Sequence, residues 1–276
     1  MITREMIAKE LKNNNYNVEP MDVVKNGISF QGITIGNGNI RPTIYINEFL
    51  DWSEDKLPEA VEQIIKTYNN AKHTSFNTEQ IKDWNYVKNR LQLCLQKKGE
   101  ENIIKRDFLD LEQYIRVVVE THGNETGSFK VKPEHLEMWE VDKDMLFNAA
   151  WDCTSPTITE RDMMHIMAEM MGVPVEELAM ENMPVQIVLG NKSGIHGAIA
   201  MHDTWRLQEI ANRYESDLAI LPSSIHEIIV MPVNEDISFA ELDAMVTEIN
   251  ETQLEPVEVL SNHAYRFHRN TEIITW

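Results

Sequence analysis

Ser223, Ser224, His226 and Glu227 stand within five positions of one another in this chain. A hydroxyl, an imidazole and a carboxylate are the parts of a hydrolase relay, in which a base reaches the nucleophile and a third group orients the base. A separation of two or three residues rarely gives that geometry, and the strained Gly-x-Ser-x-Gly turn is missing. Ser224, His226 and His196 are therefore catalytic candidates beside a simpler expectation: the serines bond backbone at a corner, and His226 caps or packs. His196, His202 and Asp203, with His226, form a second set, of types that suit zinc or iron. The chain has no His-x-x-x-His pair, no Cys-x-x-Cys pair and no calcium loop, so these are metal candidates by residue type alone, and no cofactor is expected. His165 and Glu169, at i and i+4, suit a surface pair on one helix. Gly36-Asn37-Gly38 lacks the third glycine of a dinucleotide loop, and no Gly-Lys-Ser/Thr phosphate loop is present.

These residues sit in the densest apolar stretch, residues 184–232. Residues 185–189 predict a strand, and Gly190-Asn191-Lys192-Ser193-Gly194 a turn. Residues 195–201 predict a second strand, in which Gly197 and Ala198 suit a close approach, with His196 and His202 on one face. Asp203 is placed to cap a helix carrying Trp205, Ile210 and Tyr214 beside Leu207 and Ala211. Residues 218–221 and 228–231 then predict a buried antiparallel pair around a polar corner.

The rest of the chain supplies further strands and helices. Apolar spacing predicts a helix at 3–11, a β-meander at 18–49 turning at Asn26-Gly27, and a helix from Ser53 or Asp55 through Tyr68. Strands are expected at 87–96, 114–120 and 129–131, with a helix or turn at 100–106. Asp142 caps a helix at 145–151, Thr157 and Glu160 suggest a capping box before a helix at 161–171, and Ser238 caps a helix at 239–251. Strand-like segments follow at 257–260, 265–268 and 273–276. The pattern is α+β, with mixed, mainly antiparallel sheets and helices packed on them. Nine of the fifteen methionines fall at 138–183. Core packing is their simpler use, and a mobile partner-facing flap the sharper one.

The runs NKSGIHGA, DLAILPSSIHEIIVMP and NETQLEPVEVLSNHAYRF, with VKPEHLEMWEVDKDMLFNAAW, resemble an uncharacterised protein family of clostridial and other gut Firmicute genomes. The likeness covers most of the chain. It implies a shape and no reaction, since the family has none assigned.

Charge is the strongest global feature. The formal net charge is −20, yet residues 1–108 carry 15 basic and 15 acidic side chains, and residues 109–276 carry 10 and 30. That asymmetry suggests a charge-balanced unit at 1–108 and an acidic α+β unit at 109–276. Such a surface repels nucleic acid and anionic membrane, and steers a basic partner. Asp142, Asp144, Glu176, Glu177, Asp236, Glu241, Asp243 and Glu248 are the acids expected to meet it. No apolar run is long enough to span a bilayer. The N-terminus lacks a signal-peptide pattern. Cys94 and Cys153 suit free thiols in a reducing compartment. The expectation is a cytoplasmic, non-enzymatic interaction protein, one form being a nucleic-acid mimic from a mobile element. A Ser/His hydrolase or metal enzyme at 193–227 is the alternative, and a homo-oligomer stays open.

Overall fold

Asn26 and Gly27 take φ values of 48° and 77°, the backbone of a two-residue hairpin turn. The structure, a computed structural model, describes residues 1–37, 41–72, 78–120, 126–178, 184–234 and 237–276. The turn joins β1 (Val18–Lys25) to β2 (Ile28–Ile35), and β3 (Thr43–Tyr45) adds to β2. Helices Arg4–Asn13 and Leu57–Lys72 lay Ile7, Leu11, Val61 and Ile64 on Ile33, Ile35, Ile44 and Ile46. The spacings of three and four put each helix pair on one face. The expected meander is present, with its third strand shorter than the apolar pattern.

A second sheet is built on β6 (Leu111–Glu120), which pairs antiparallel with β4 (Leu91–Lys97), β5 (Lys105–Phe108) and β7 (Thr126–Lys130). Its alternation separates two faces. Leu91, Leu93, Leu95, Leu111, Ile115 and Val117 enter the main apolar core. Gln92, Cys94 and Gln96 lie opposite Arg116, Tyr114 and Glu112 on the other face.

The third sheet runs β13 (Ile273–Thr275), β12 (Tyr265–His268), β10 (Leu218–Leu221), β11 (Ile228–Pro232), β9 (Ile187–Asn191), β8 (Ile158–Asp162). All its pairs are antiparallel. Leu218, Ile220, Ile228 and Val230 share the main core with Leu146, Phe147 and Ala150 of the helix Lys143–Thr154 and with Leu207 and Ile210 of Thr204–Arg213. Helix Phe239–Gln253 packs Leu242 and Val246 on the opposite face, against Ala219, Leu221 and Met231. The fold is α+β, with three mainly antiparallel sheets and helices packed on them.

Several expectations differ from the structure. Residues 100–106 were expected as helix or turn, yet Lys105–Phe108 is strand β5. The strand expected from residue 87 begins at Leu91, after a short helix Trp84–Val87 that Asp83 caps. The Thr157/Glu160 capping box does not form: the Thr157 hydroxyl bonds back to the Thr154 carbonyl, Glu160 lies in β8, and Asp162 caps the helix Met163–Met171. Residues 197–202 form a 3-10 helix in place of a strand. Residues 257–260 are outside any strand, and Ser238 stands at the start of the helix Phe239–Gln253 without a side-chain cap bond.

The buried apolar side chains divide between Tyr68 and Val87, whereas the change in charge falls in the β5–β6 hairpin, where Phe108 pairs with Leu111. The β1–β2 turn ties the two parts together. Asn26 donates to the carbonyls of Val257 (2.9 Å) and Val259 (2.7 Å) and accepts from the Lys97 N–H (2.8 Å). Among the described residues no helix is long and apolar enough to cross a membrane.

Candidate functional site

The polar face of the second sheet meets the two corners that the sequence singled out. The first corner follows β9. Asn191 accepts from the Ser193 N–H and hydroxyl and donates to the Ile195 carbonyl (2.8 Å), which Gln92 of β4 also approaches at 3.0 Å. His196 then takes a left-handed φ of 58°, and Gly197 passes directly under the second corner. A Cβ at Gly197 would lie 2.5 Å from the His226 carbonyl oxygen and 2.7 Å from the Asn191 nitrogen. That proximity explains why the chain turns into a 3-10 helix here. A continuing strand needs a ladder partner, and the space is already filled by β9 and the corner before β11.

His196 and His226 are brought together, with ring centroids 5.8 Å apart. The backbone N–H of His196 donates to Nδ1 of His226 at 3.2 Å. With Nδ1 accepting, the His226 proton sits on Nε2, which faces the Glu258 carboxylate at 3.4 Å. Ser224 is buried, and its hydroxyl oxygen accepts from the backbone N–H of His226 at 2.9 Å. The bond runs to the backbone and not to the ring. Ser224 and His226 thus make the corner bonds of the simpler expectation.

The tyrosine of β6 completes the cluster. Tyr114 places its hydroxyl 3.4 Å from Nδ1 of His196, with the rings edge to face. Beside it Cys94 is fully buried, and Lys130 stands over the Tyr114 ring at 4.8 Å. Lys130 also bonds Gln96 (3.0 Å) and Glu101 (2.5 Å), Gln96 bonds Glu112 (2.7 Å), and Arg116 bonds Gln92 (2.7 Å). Among the described residues the buried Oε1 of Glu101 has no hydrogen-bond partner. Sequence reasoning did not anticipate Cys94, Tyr114, Arg116 and Lys130 around His196, or Glu258 beside His226. The one sequence signal for them is the polar alternation Gln92-Cys94-Gln96 and Glu112-Tyr114-Arg116.

Burial sets the protonation of this cluster. It holds the His196 imidazole down to about 3, helped by Arg116, His226, Lys130 and Lys25. It pushes the Cys94 thiol up to about 12 and the Tyr114 phenol well above its ordinary range. At neutral pH His196, Cys94 and Tyr114 are all uncharged. None of the three is poised near pH 7, where a general acid or base works best.

The metal candidates separate. His202 packs edge-on against Trp151 (4.8 Å) and Phe108 (5.6 Å), and burial lowers its pKa. Asp203 caps the helix Thr204–Arg213 through the Arg206 N–H and pairs with the Arg206 guanidinium at 3.2 Å. His196 and His202 do not share a strand face, because residues 197–202 are helical. Among the described residues no group of three or more His, Cys, Asp or Glu side chains is placed to hold a metal ion. His165 does not pair with Glu169: it faces Asp162 at 3.4 Å, and Glu169 pairs with Arg161.

A family model matches residues 2–269, nearly the whole chain. The chain belongs to a family of unknown function, DUF5688. The resemblance drawn from NKSGIHGA and its companion runs thus leads to an uncharacterised family, which brings no reaction with it. No curated protein and no solved structure matches this member of DUF5688.

The acids of this DUF5688 chain fall into two groups. Asp142 accepts from the Met145 N–H (2.8 Å) and caps its helix, and Asp243 accepts from the Ala264 N–H (2.7 Å). Asp144, Glu176, Glu177, Glu241 and Glu248 are exposed, with Asp144 bonded to Arg106 at 2.6 Å. Asp236 lies outside the described residues.

Proposed function

We propose that this protein is a non-enzymatic interaction module that binds a basic protein surface through acids in residues 109–276. One observation carries the proposal: the whole net charge of −20 lies beyond residue 108, and Glu176, Glu177, Glu241 and Glu248 there are exposed. Fields of one sign raise the rate of encounter with a partner of the other and select against like-charged surfaces. The geometry at 193–227 supports the same reading. Ser224 and His226 are engaged in corner bonds, and the half-buried His196 and the buried Cys94 and Tyr114 are uncharged at neutral pH. In its sharper form the module is a cytoplasmic nucleic-acid mimic, from a mobile element, that occupies the basic site of a DNA- or RNA-binding protein.

The test compares the wild-type chain with a Glu176→Lys/Glu177→Lys/Glu241→Lys/Glu248→Lys variant in affinity capture from a cell lysate. The reading expects a basic protein held at low salt, released at roughly 0.5 M salt, where the Debye length falls to a few Å, and lost by the variant. Equal capture by wild type and variant defeats it.

A further inference from the structure

The helix Met163–Met171 has the sequence MMHIMAEMM. A nine-residue helix with five methionines and an isoleucine is of the kind that folds into a core. Here only Ala168 is buried. Met170 is 82% exposed, Met171 61% and Met167 38%. Residues 167, 170 and 171 are related as i, i+3 and i+4, so they form one stripe along the helix, roughly 100° wide at 100° per residue.

The helix has local stop signals at both ends. Asp162 accepts from the Met164 and His165 N–H groups, and Gly172 closes the C-terminus at φ 69°. A helix this short is marginal in water without burial of an apolar face. Its surroundings are acidic. Glu176 and Glu177 follow in the short exposed helix Val175–Leu178, and residues 134–181 hold 12 acids against Lys143 and Arg161. Arg161 is itself tied to Glu169.

We propose that the methionine stripe of Met163–Met171 is the docking surface for a basic amphipathic helix of the partner protein. The inference rests on the acidic-interaction reading above and names where contact is made. Two features select that occupant. Methionine is unbranched and adapts to apolar side chains of differing shape, as helix-in-groove recognition requires. Glu176 and Glu177, on the short helix in contact with this one, complement Lys and Arg on the polar face of the incoming helix. A second copy of this chain would bring the same acids against themselves, at a repulsive cost.

The probe is a synthetic Leu/Lys amphipathic peptide of about 18 residues, long enough to form a helix once bound, with a Leu/Glu peptide of equal length as control. Binding is followed by fluorescence anisotropy, and peptide helicity by circular dichroism. The wild-type chain is expected to bind the Leu/Lys peptide and make it helical, and to ignore the Leu/Glu peptide. The Met167→Gln/Met170→Gln/Met171→Gln variant should unfold at the same temperature as wild type, because these side chains are exposed, and bind about tenfold or more weakly, one hot-spot residue's worth.

Unchanged peptide affinity in the methionine variant overturns the placement. If Glu241→Lys/Glu248→Lys on the far helix then abolishes peptide binding, the acidic reading stands and contact lies elsewhere. If neither set of changes alters capture of the basic protein, the acidic reading falls with it. Failure of wild type to bind the peptide, together with a dimer in sedimentation that the methionine variant dissolves, assigns the stripe to self-association and overturns the proposal.

Discussion

Gly197→Ala is expected to be the most damaging single-methyl change in the corner around His196. The added Cβ would lie 2.5 Å from the His226 carbonyl oxygen, 2.7 Å from the Asn191 nitrogen and 2.8 Å from the Gly190 carbonyl carbon. Ordinary contacts between such atoms are about 3.5–4 Å, so the overlap is about 1 Å or more. All three atoms are backbone, so no side chain can swing aside. Relief requires moving β9 away from the corner at 224–227. That movement stretches the His196 N–H bond to His226 Nδ1 and the Ala198 N–H bond to the Ile225 carbonyl. Overpacking costs about 1–3 kcal/mol, and each weakened hydrogen bond about 1 kcal/mol more. The sum, about 3–5 kcal/mol, is a large part of an ordinary domain's stability. Gly190 is the control. A Cβ there meets its nearest atom at 3.6 Å, an ordinary contact, so Gly190→Ala should cost less than about 1 kcal/mol. Urea unfolding followed by circular dichroism measures both. A midpoint for Gly197→Ala indistinguishable from wild type, or equal losses at the two glycines, would refute the packing argument.

Three further outcomes are expected. His196 is held neutral in the folded chain down to about pH 3, while the unfolded side chain takes up a proton near 6.5. Between those values the unfolded state binds the extra proton, so stability is lost as the pH falls, by at most about 1.4 kcal/mol per unit from this group. His196→Gln should flatten that slope, and parallel urea midpoints for the two proteins from pH 7 to pH 4 would sink the assignment. The Thr154 hydroxyl accepts from the Leu93 N–H on β4 (2.9 Å) and donates to the Ala150 carbonyl (2.7 Å). Thr154→Val leaves a buried N–H unpaired and should cost about 1–3 kcal/mol, with Thr154→Ser retaining most of the stability in thermal unfolding. Burial and a thiol pushed up to about 12 make Cys94 inert in the folded chain. An aromatic disulfide reagent should find Cys94 only after denaturation, and rapid native labelling that Cys94→Ala removes would contradict its burial.

Much of the frame was legible because it rests on local signals. The Asn26-Gly27 turn, the Asp142 and Asp203 caps, the apolar periods of the helices and the paired strands at 218–221 and 228–231 need only neighbours in sequence. The strand expected at 195–201 failed for the opposite reason. Its apolar, small-residue run suits an extended chain, but Gly197 is pressed between the end of β9 and the His226 carbonyl, the latter about thirty positions along the chain. At 157–171 the pairing of β8 with β9 takes up Glu160 and moves the helix start from Thr157 to Asp162.

The sequence by itself determined the α+β class, the confinement of the net charge to residues 109–276, and the likeness to an uncharacterised family, because composition, periodicity and shared runs are properties of the chain in order. Only the tertiary structure decided the neighbours of His196. It placed Tyr114 and Cys94 beside that ring, gave Ser224 and His226 to backbone bonds, sent His202 to Trp151, and left Met167, Met170 and Met171 in solvent. Residue type specifies what a side chain can do. Burial and partners decide what it does, and those come from segments far apart in the chain.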